Sequence, residues 1–427
     1  MRLVDRLRKT PPAPLAEPDT YSNAEVAAML REIGIALVEV AQPTSLAQGR
    51  LLRIAARYTT TPARVVVLPT LVLVQIGTTA YEIEGSTHTS LQLDAAGRID
   101  AIASLAEAGA VTPSDAVAAV AAARTMAPRF GRLATIVGYA ITSLGFGITI
   151  NPTWASLPGY LFLGLVVGVI VTIGARLPSL APVLPSLSAF VVVLLAIWFV
   201  ADTADDGLLR VISPPLVATL PGMALTTGAM ELATTQTISG SSRLVYGISQ
   251  LALLVFGLVA GIHIAGSVAP QAASPQMGPW SLYVAIVVVA VGLSVYLSAP
   301  SGSLFWLMGA IGVALIGQRV AQSFVSAAHS GFVGAVLAVL FAMLASRIRS
   351  APPAMVMLLA AFWSLVPGAM SFMSVSQAAT GGNADIASMS QAGGAIVSIA
   401  LGTLAGWSIF WTLDHHLPWS KLAPSSR

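Results

Sequence analysis

Long apolar blocks fill the chain from about residue 130 onward. They lie near 133–151, 158–175, 180–201, 209–233, 244–266, 281–299, 303–318, 322–345, 353–377 and 392–413. Most reach the roughly twenty apolar residues that cross a bilayer as a helix, while 303–318 is short. Before residue 130 the pattern is that of a soluble domain. Ser22-Asn23-Ala24-Glu25 predicts a capping box with Tyr21 and Val26 as its staple. Val26, Leu30, Ile33 and Leu37 then share one face of a helix reaching about Val40. Pro43-Thr44-Ser45 starts a second helix ending near Tyr58. The β-branched run 64–76 carries Pro69 in its middle, so it predicts two short strands or one interrupted strand. His88–Leu93 alternates like a further strand. Residues 98–109 and 113–124 read as helices, with Thr112-Pro113 at cap and first turn.

Charge sharpens this division. Residues 1–123 hold ten Lys/Arg and twelve Asp/Glu, whereas residues 133–427 hold eight and six. The whole chain is 56% hydrophobic and 9% charged, with mean hydropathy +0.82. A bilayer core penalises each ion by roughly 2.5–3.5 kcal/mol on insertion scales, which explains so sparse a distribution. With the N-terminal domain inside, Arg124, Arg129, Arg132, Arg176, Arg243, Arg347, Arg349, Lys421 and Arg427 fall on the inner side. Only Arg210 and Arg319 fall outside, with Asp202, Asp205 and Asp206. That asymmetry predicts an even number of spans with both termini cytoplasmic.

Leu220-Pro221-Gly222 recurs as Val366-Pro367-Gly368, 146 residues later. The first helices of two five-helix sets, near 133 and 281, are offset by nearly the same amount. Five helices is an odd number, so the second set enters the membrane with opposite polarity. The fold class expected is therefore a polytopic α-helical membrane protein of about ten helices in two inverted repeats, preceded by a small soluble α+β domain. Its divisions are a disordered tail 1–20, a cytoplasmic domain 21–125, membrane repeats 130–270 and 278–415, and a cytoplasmic tail 416–427. The proline-rich first twenty residues read as a tail and not as a signal peptide.

Pro-Gly inside a span frees backbone groups for a polar solute. A packing kink is the plainer reading of one such pair; two copies at equivalent depth favour a solute site. Pro221, Gly222, Thr226, Thr227, Pro367, Gly368 and Gln377 are the expected solute-binding residues. Glu231 is the only acidic residue within the spans, and Thr227 and Thr234 share its helix face. It is either a proton or substrate-amine site or an interfacial residue, lying about 33 Å along a helix begun near 209. Ser239, Gly240 and Arg243 follow near the inner face, where Arg243 can serve topology alone or pair with Glu231 or a substrate carboxylate. Gly164-x-x-x-Gly168 and Gly257-x-x-x-Gly261 read as close helix packing.

The chain has no cysteine, which excludes disulfides and thiolate chemistry. Its two lysines, Lys9 and Lys421, leave no Walker A loop, so transport would run on gradients. No metal-ligand spacing, cofactor motif or basic run for nucleic acid is present. His88, Glu82 and Glu84 are the nearest approach to a catalytic cluster, and solvated strand positions account for them more simply. A membrane-tethered hydrolase therefore stands as the alternative to a transporter, and a regulatory or oligomerising soluble domain is compatible with transport.

Three segments carry a family resemblance: Leu220-Pro221-Gly222, Glu231-Leu232, and Ser239-Gly240-Ser-Ser-Arg243-Leu244. Together with Gly34-Ile-Ala-Leu37-Val-Glu39, Pro43-Thr44 and Val366-Pro367-Gly368, they resemble the threonine/serine exporter family, from about Ala24 to Trp411. This chain has Thr235-Gln236-Thr237 where family members often carry Gly-Asp. The resemblance implies a multi-pass protein of the bacterial inner membrane. It implies export of threonine and serine driven by the proton gradient, with amino acid, protons and lipid as partners and a homo-oligomer left open.

Overall fold

The computed structural model describes residues 9, 12–78, 80–86, 92–200, 207–266, 274–365, 367–380 and 386–416. The soluble part begins with α1 (Asn23–Glu39) and α2 (Thr44–Tyr58). Ser22 Oγ accepts the Glu25 amide at 3.3 Å and Glu25 Oε2 accepts the Ser22 amide at 2.9 Å, which closes the capping box. Val26, Leu30, Ile33 and Leu37 are all buried. The run 64–76 folds as a hairpin of β1 (Ala63–Leu68) and β2 (Leu71–Ile76), with Leu68 opposite Leu71. Pro69 sits in the turn, where its missing N–H removes no ladder bond. A third antiparallel strand, β3 (Ala80–Gly85), completes the order β1-β2-β3.

The strand expected over His88–Leu93 is corrected in part. Residues 88–91 lie outside the described residues, and Leu93 begins a helix, α3 (Leu93–Ala108). Leu93, Ala96, Ile99, Ala103 and Ala106 are buried at helical spacing, and that period outweighs a short alternation. The first amides of α3, which lack partners inside the helix, donate to the membrane part. Leu93 N reaches Leu297 O at 2.8 Å and Asp94 N reaches Ser298 O at 3.1 Å. Helix α4 (Pro113–Arg124) follows, capped by Thr112 Oγ1 on the Asp115 amide.

The membrane part runs α5 (Arg132–Ile150), α6 (Leu157–Gly174), a 3-10 turn (Pro178–Val183), α7 (Leu184–Phe199), α8 (Leu208–Ile212), α9 (Gly222–Ala233) and α10 (Thr237–Ala265). It continues with α11 (Ser281–Tyr296), α12 (Leu304–Ala321), α13 (Ala327–Ala345), α14 (Ala354–Ser364), α15 (Pro367–Ala379) and α16 (Ile386–His416). Among the described residues, eight helical segments are long and apolar enough to cross a membrane. Two of the ten expected stretches differ from that description. Ser281–Tyr296 is apolar but shorter, and 209–233 is not one helix. Residues 213–220 form turns between α8 and α9, because Pro214, Pro215 and Pro221 interrupt the amide ladder. Likewise α14 and α15 divide the stretch 353–377 just before Pro367.

The helices pack in two matching sets. Helix α5 lies against α6 and α11 against α12; α7 lies against α10 and α13 against α16. Helix α9 touches α10 and α16, while α15 touches α16 and α10. The two sets meet through α5 on α11 and α9 on α15. Small residues set the closest approaches. A Cβ on Gly145 would lie 2.7 Å from the Val289 amide nitrogen, and one on Gly292 2.5 Å from that of Thr142. Gly164 would meet Ser143 Cβ at 2.6 Å and Gly261 Val193 Cγ1 at 2.8 Å, so both Gly-x-x-x-Gly pairs lie at helix contacts. Large apolar side chains such as Leu133, Phe199, Phe256, Phe305 and Phe324 are exposed, as a lipid-facing surface requires.

The two parts share one core. Val26, Leu30, Val72 and Ile99 belong to the same buried cluster as Leu293, Leu307, Val356 and Ala369. The soluble domain is therefore packed onto the membrane helices, chiefly α3 on α14.

Gly145→Leu forces the α5 and α11 backbones apart and is expected to destabilise the protein by about 1–3 kcal/mol or more. Gly131→Ala, whose Cβ would meet nothing within 4 Å, is the control. Thermal melting of the detergent-purified protein compares them; equal midpoints would contradict the close packing of α5 on α11.

Candidate functional site

The two Pro-Gly pairs meet. A Cβ on Gly368 would lie 2.9 Å from the Gly222 amide nitrogen, 3.0 Å from Leu220 Cβ and 3.1 Å from Gly222 Cα. Only glycine at 368 allows that approach of backbone to backbone. Helices α9 and α15 both start at this crossing, so the first-turn amides of each have no acceptor within the helix.

A cavity of about 830 Å³ opens beside the crossing. Pro221, Gly222, Thr226, Thr227 and Gly368 line it. Met223, Met343, Phe362, Trp363 and Trp407 supply much of its apolar wall. Trp363 is fixed there by a hydrogen bond from Nε1 to Met223 Sδ at 3.2 Å and by its ring contact with Tyr296. Thr226 is buried, and its Oγ1 has no hydrogen-bond partner among the described residues. An unmade bond at a buried hydroxyl is costly, so that atom favours a polar guest.

Pro367 opens α15. Gln377 is exposed and does not line the cavity. Gln377 and Glu231 each lie ten residues after their prolines, yet Gln377 is exposed and Glu231 has no exposed surface.

Glu231 has no exposed surface and does not line the cavity either. Its Oε1 accepts both the backbone N–H and the hydroxyl of Thr44, each at 2.9 Å. Its Oε2 accepts Arg243 Nε at 3.1 Å. Thr44 begins α2, whose cap position is Pro43, a residue with no side-chain acceptor. Glu231 is thus the missing cap of a helix 187 positions away in sequence. The helix N-terminus and Arg243 both place positive charge against the carboxylate, which offsets its burial. Glu231 thus lies where the N-terminal domain meets the apolar helices.

Arg243 pairs with Glu231, and its Nη2 is buried without a hydrogen-bond partner among the described residues. Ser239 is buried on the same helix, and Gly240 lets α10 approach α9, since its Cβ would meet the Gly228 oxygen at 2.8 Å. Glu82 and Glu84, considered with His88, form ion pairs with Arg31 at 2.8 and 3.6 Å. His88 lies outside the described residues. No group of three or more possible metal ligands occurs among the described residues.

Sequence reasoning missed the soluble side of the cavity. Gln42, Leu46, Arg50, Arg53, Asp100 and Glu107 line it from α2, α3 and the turn before α2. Arg50 pairs with Asp100 and, at 3.4 Å, with Glu107; Arg53 reaches Glu107 at 2.8 Å. Burial opposes the charge of Arg50, but Asp100 and Glu107 outweigh it and raise its pKa above the ordinary value. Burial pulls Lys9 below its ordinary value, with Asp100 opposing. The repeated Arg-x-x-Arg at 50 and 53 and the spacing Asp100 to Glu107 mark charged helix faces, yet nothing local says that they face a membrane cavity.

Glu231→Ala removes the shared acceptor and is expected to cost about 3–5 kcal/mol, because Arg243 is left buried and unpaired. Thr44→Val keeps the amide bond and should cost about 1 kcal/mol. Hydrogen exchange at residues 44–47 with thermal melting measures both, and unchanged protection in Glu231→Ala would refute the capping role.

The family model described as "Putative threonine/serine exporter" matches residues 28–265, more than half of the chain. No curated protein and no solved structure matches it. The matched region contains Thr44, Pro221-Gly222, Glu231 and Arg243, the residues that join the domains and frame the cavity. The chain belongs to the threonine/serine exporter family.

Proposed function

We propose that the protein is a secondary exporter of small neutral amino acids, threonine and serine, that binds its solute in the cavity beside the crossed Pro-Gly pairs. The observation that carries this reading is the unpartnered Thr226 hydroxyl in that cavity, next to two helix starts. A hydroxylated amino acid is small for about 830 Å³, so water fills the remainder or the walls close on it. Thr226 and Thr227 bind the solute's polar side, and Pro221-Gly222 with Pro367-Gly368 form the hinge line.

Ten spans in two inverted five-helix repeats account for the matched packing of the two helix sets and for the pairing of α5 with α11 and α9 with α15. Rocking one set against the other exposes the cavity to each side in turn. The soluble domain lies on the face that holds Arg129, Arg243 and Arg347. Lys9 N bonds Arg347 O at 2.9 Å, Arg129 Nη1 bonds Ala299 O at 3.2 Å, and Thr44 meets the Glu231–Arg243 pair. Positive residues concentrate on the cytoplasmic side, so this arrangement supports cytoplasmic termini in the bacterial inner membrane. The proton gradient supplies the driving force. Glu231 serves transport as the junction between the domains rather than as a ligand for the amino group, and Ser239, Gly240 and Arg243 hold α10 against it.

Counterflow of labelled threonine in proteoliposomes is expected to exceed that of protein-free vesicles, and an imposed proton gradient is expected to accelerate it. Thr226→Val is expected to raise the half-saturating threonine concentration about 3–10-fold, the value of one hydrogen bond. Equal flux with and without protein, in either gradient direction, would overturn the transport reading.

A further inference from the structure

The cavity is chemically two-sided. Among its described lining residues, every charged side chain comes from the soluble part: Lys9, Arg50, Arg53, Asp100 and Glu107. The membrane helices contribute hydroxyls, sulfur, aromatic rings and aliphatic groups, and no charge. Glu231 and Arg243, paired on the nearby helices and joined to Thr44, do not line the cavity. A solute that carries charge into this space therefore meets side-chain charge only on the soluble domain.

The charges there are arranged in both signs. Arg50 engages Oδ1 of Asp100, while the second oxygen of Asp100 carries no hydrogen bond within the described protein. Arg53 uses Nη2 on Glu107, and its side chain is 57% exposed. Arg53 and Asp100 are linked through Glu107 and Arg50, and all four line the cavity. An α-amino acid presents a carboxylate and an ammonium on one carbon, which is the pattern such a wall complements.

We infer that α2 and α3 of the soluble domain form the charged wall of the solute site, with Arg53 holding the solute carboxylate and Asp100 its ammonium. This inference rests on the transport reading above and deepens it. The membrane half then receives the side chain, where Thr226 and Thr227 meet a hydroxyl. Selection for a zwitterion comes from the soluble domain, and selection for a small hydroxylated side chain from the membrane helices. The soluble domain is a part of the binding site, and the shared buried core keeps it in register with the helices opposite.

The test uses the full-length protein in proteoliposomes, with threonine counterflow challenged by threonine amide and by N-acetylthreonine. The amide lacks the carboxylate and the acetyl compound lacks the ammonium. Wild type is expected to be inhibited by either derivative at least about tenfold less effectively than by unlabelled threonine. Arg53→Gln should raise the half-saturating threonine concentration about tenfold, with the maximal rate little changed, and should abolish discrimination against the amide alone. Asp100→Asn should abolish discrimination against N-acetylthreonine alone. Arg53→Lys should restore part of the discrimination against the amide. A general loosening of the fold would not produce this crossed pattern. Because Arg53 is largely exposed, its arm stands even if Asp100→Asn does not fold.

Two failures are distinguishable. Wild-type counterflow equal to that of empty vesicles would overturn the transport reading and the wall with it. Robust wild-type flux, with unchanged discrimination in Arg53→Gln, would overturn the charged wall and leave the transport reading standing.

Discussion

Two glycines, Gly222 and Gly368, lie so close that neither helix start could sit where it does with a side chain at 368. That approach fixes much else. It brings the starts of α9 and α15 together, next to the proline breaks that end the helical stretches before them. It leaves first-turn amides beside an open cavity, a state tolerable within a membrane only where the backbone lines protein or a polar space. The cavity, its threonines and the crossing are consequences of one steric condition.

The junction with the soluble domain follows from a different demand. A carboxylate with no exposed surface needs partners on every side, and Glu231 finds them in Thr44 and Arg243. Each partner also has a need of its own. Helix α2 lacks a side-chain cap, and Arg243 lies at the buried foot of a helix that otherwise crosses apolar surroundings. Leu93 and Asp94 repeat the arrangement by donating α3 amides to the end of α11. The soluble domain is thus held by its own unfinished helix ends, over a core continuous with the membrane helices. A domain held in that way is placed to take part in whatever the cavity does.

Local signals in the sequence are strong where one element suffices to satisfy them. Ser22 and Glu25 cap α1 from three residues apart, Thr112-Pro113 starts α4, and Pro69 forces the hairpin turn. The same reasoning failed at Leu93, where short alternation suggested a strand. The helical period of Leu93, Ala96 and Ile99 is satisfied only because the soluble core and the membrane helices cover that face. Gln377 matches Glu231 in sequence position, yet one is exposed and the other buried, a difference that no local pattern carries.

By itself the sequence determined that most of the chain consists of apolar helices, that a small α+β domain precedes them, and that Pro-Gly breaks occur at 221–222 and 367–368. Those properties depend on hydrophobic period, charge density and backbone chemistry, all of which are local. The tertiary structure alone decided that the two breaks touch, that Glu231 caps a helix from the soluble domain, and that Arg50, Arg53, Asp100 and Glu107 face the cavity. A buried charge or an uncapped helix end states a requirement in the sequence without naming what meets it. The partner is chosen by packing across nearly two hundred residues, and no local pattern carries that information.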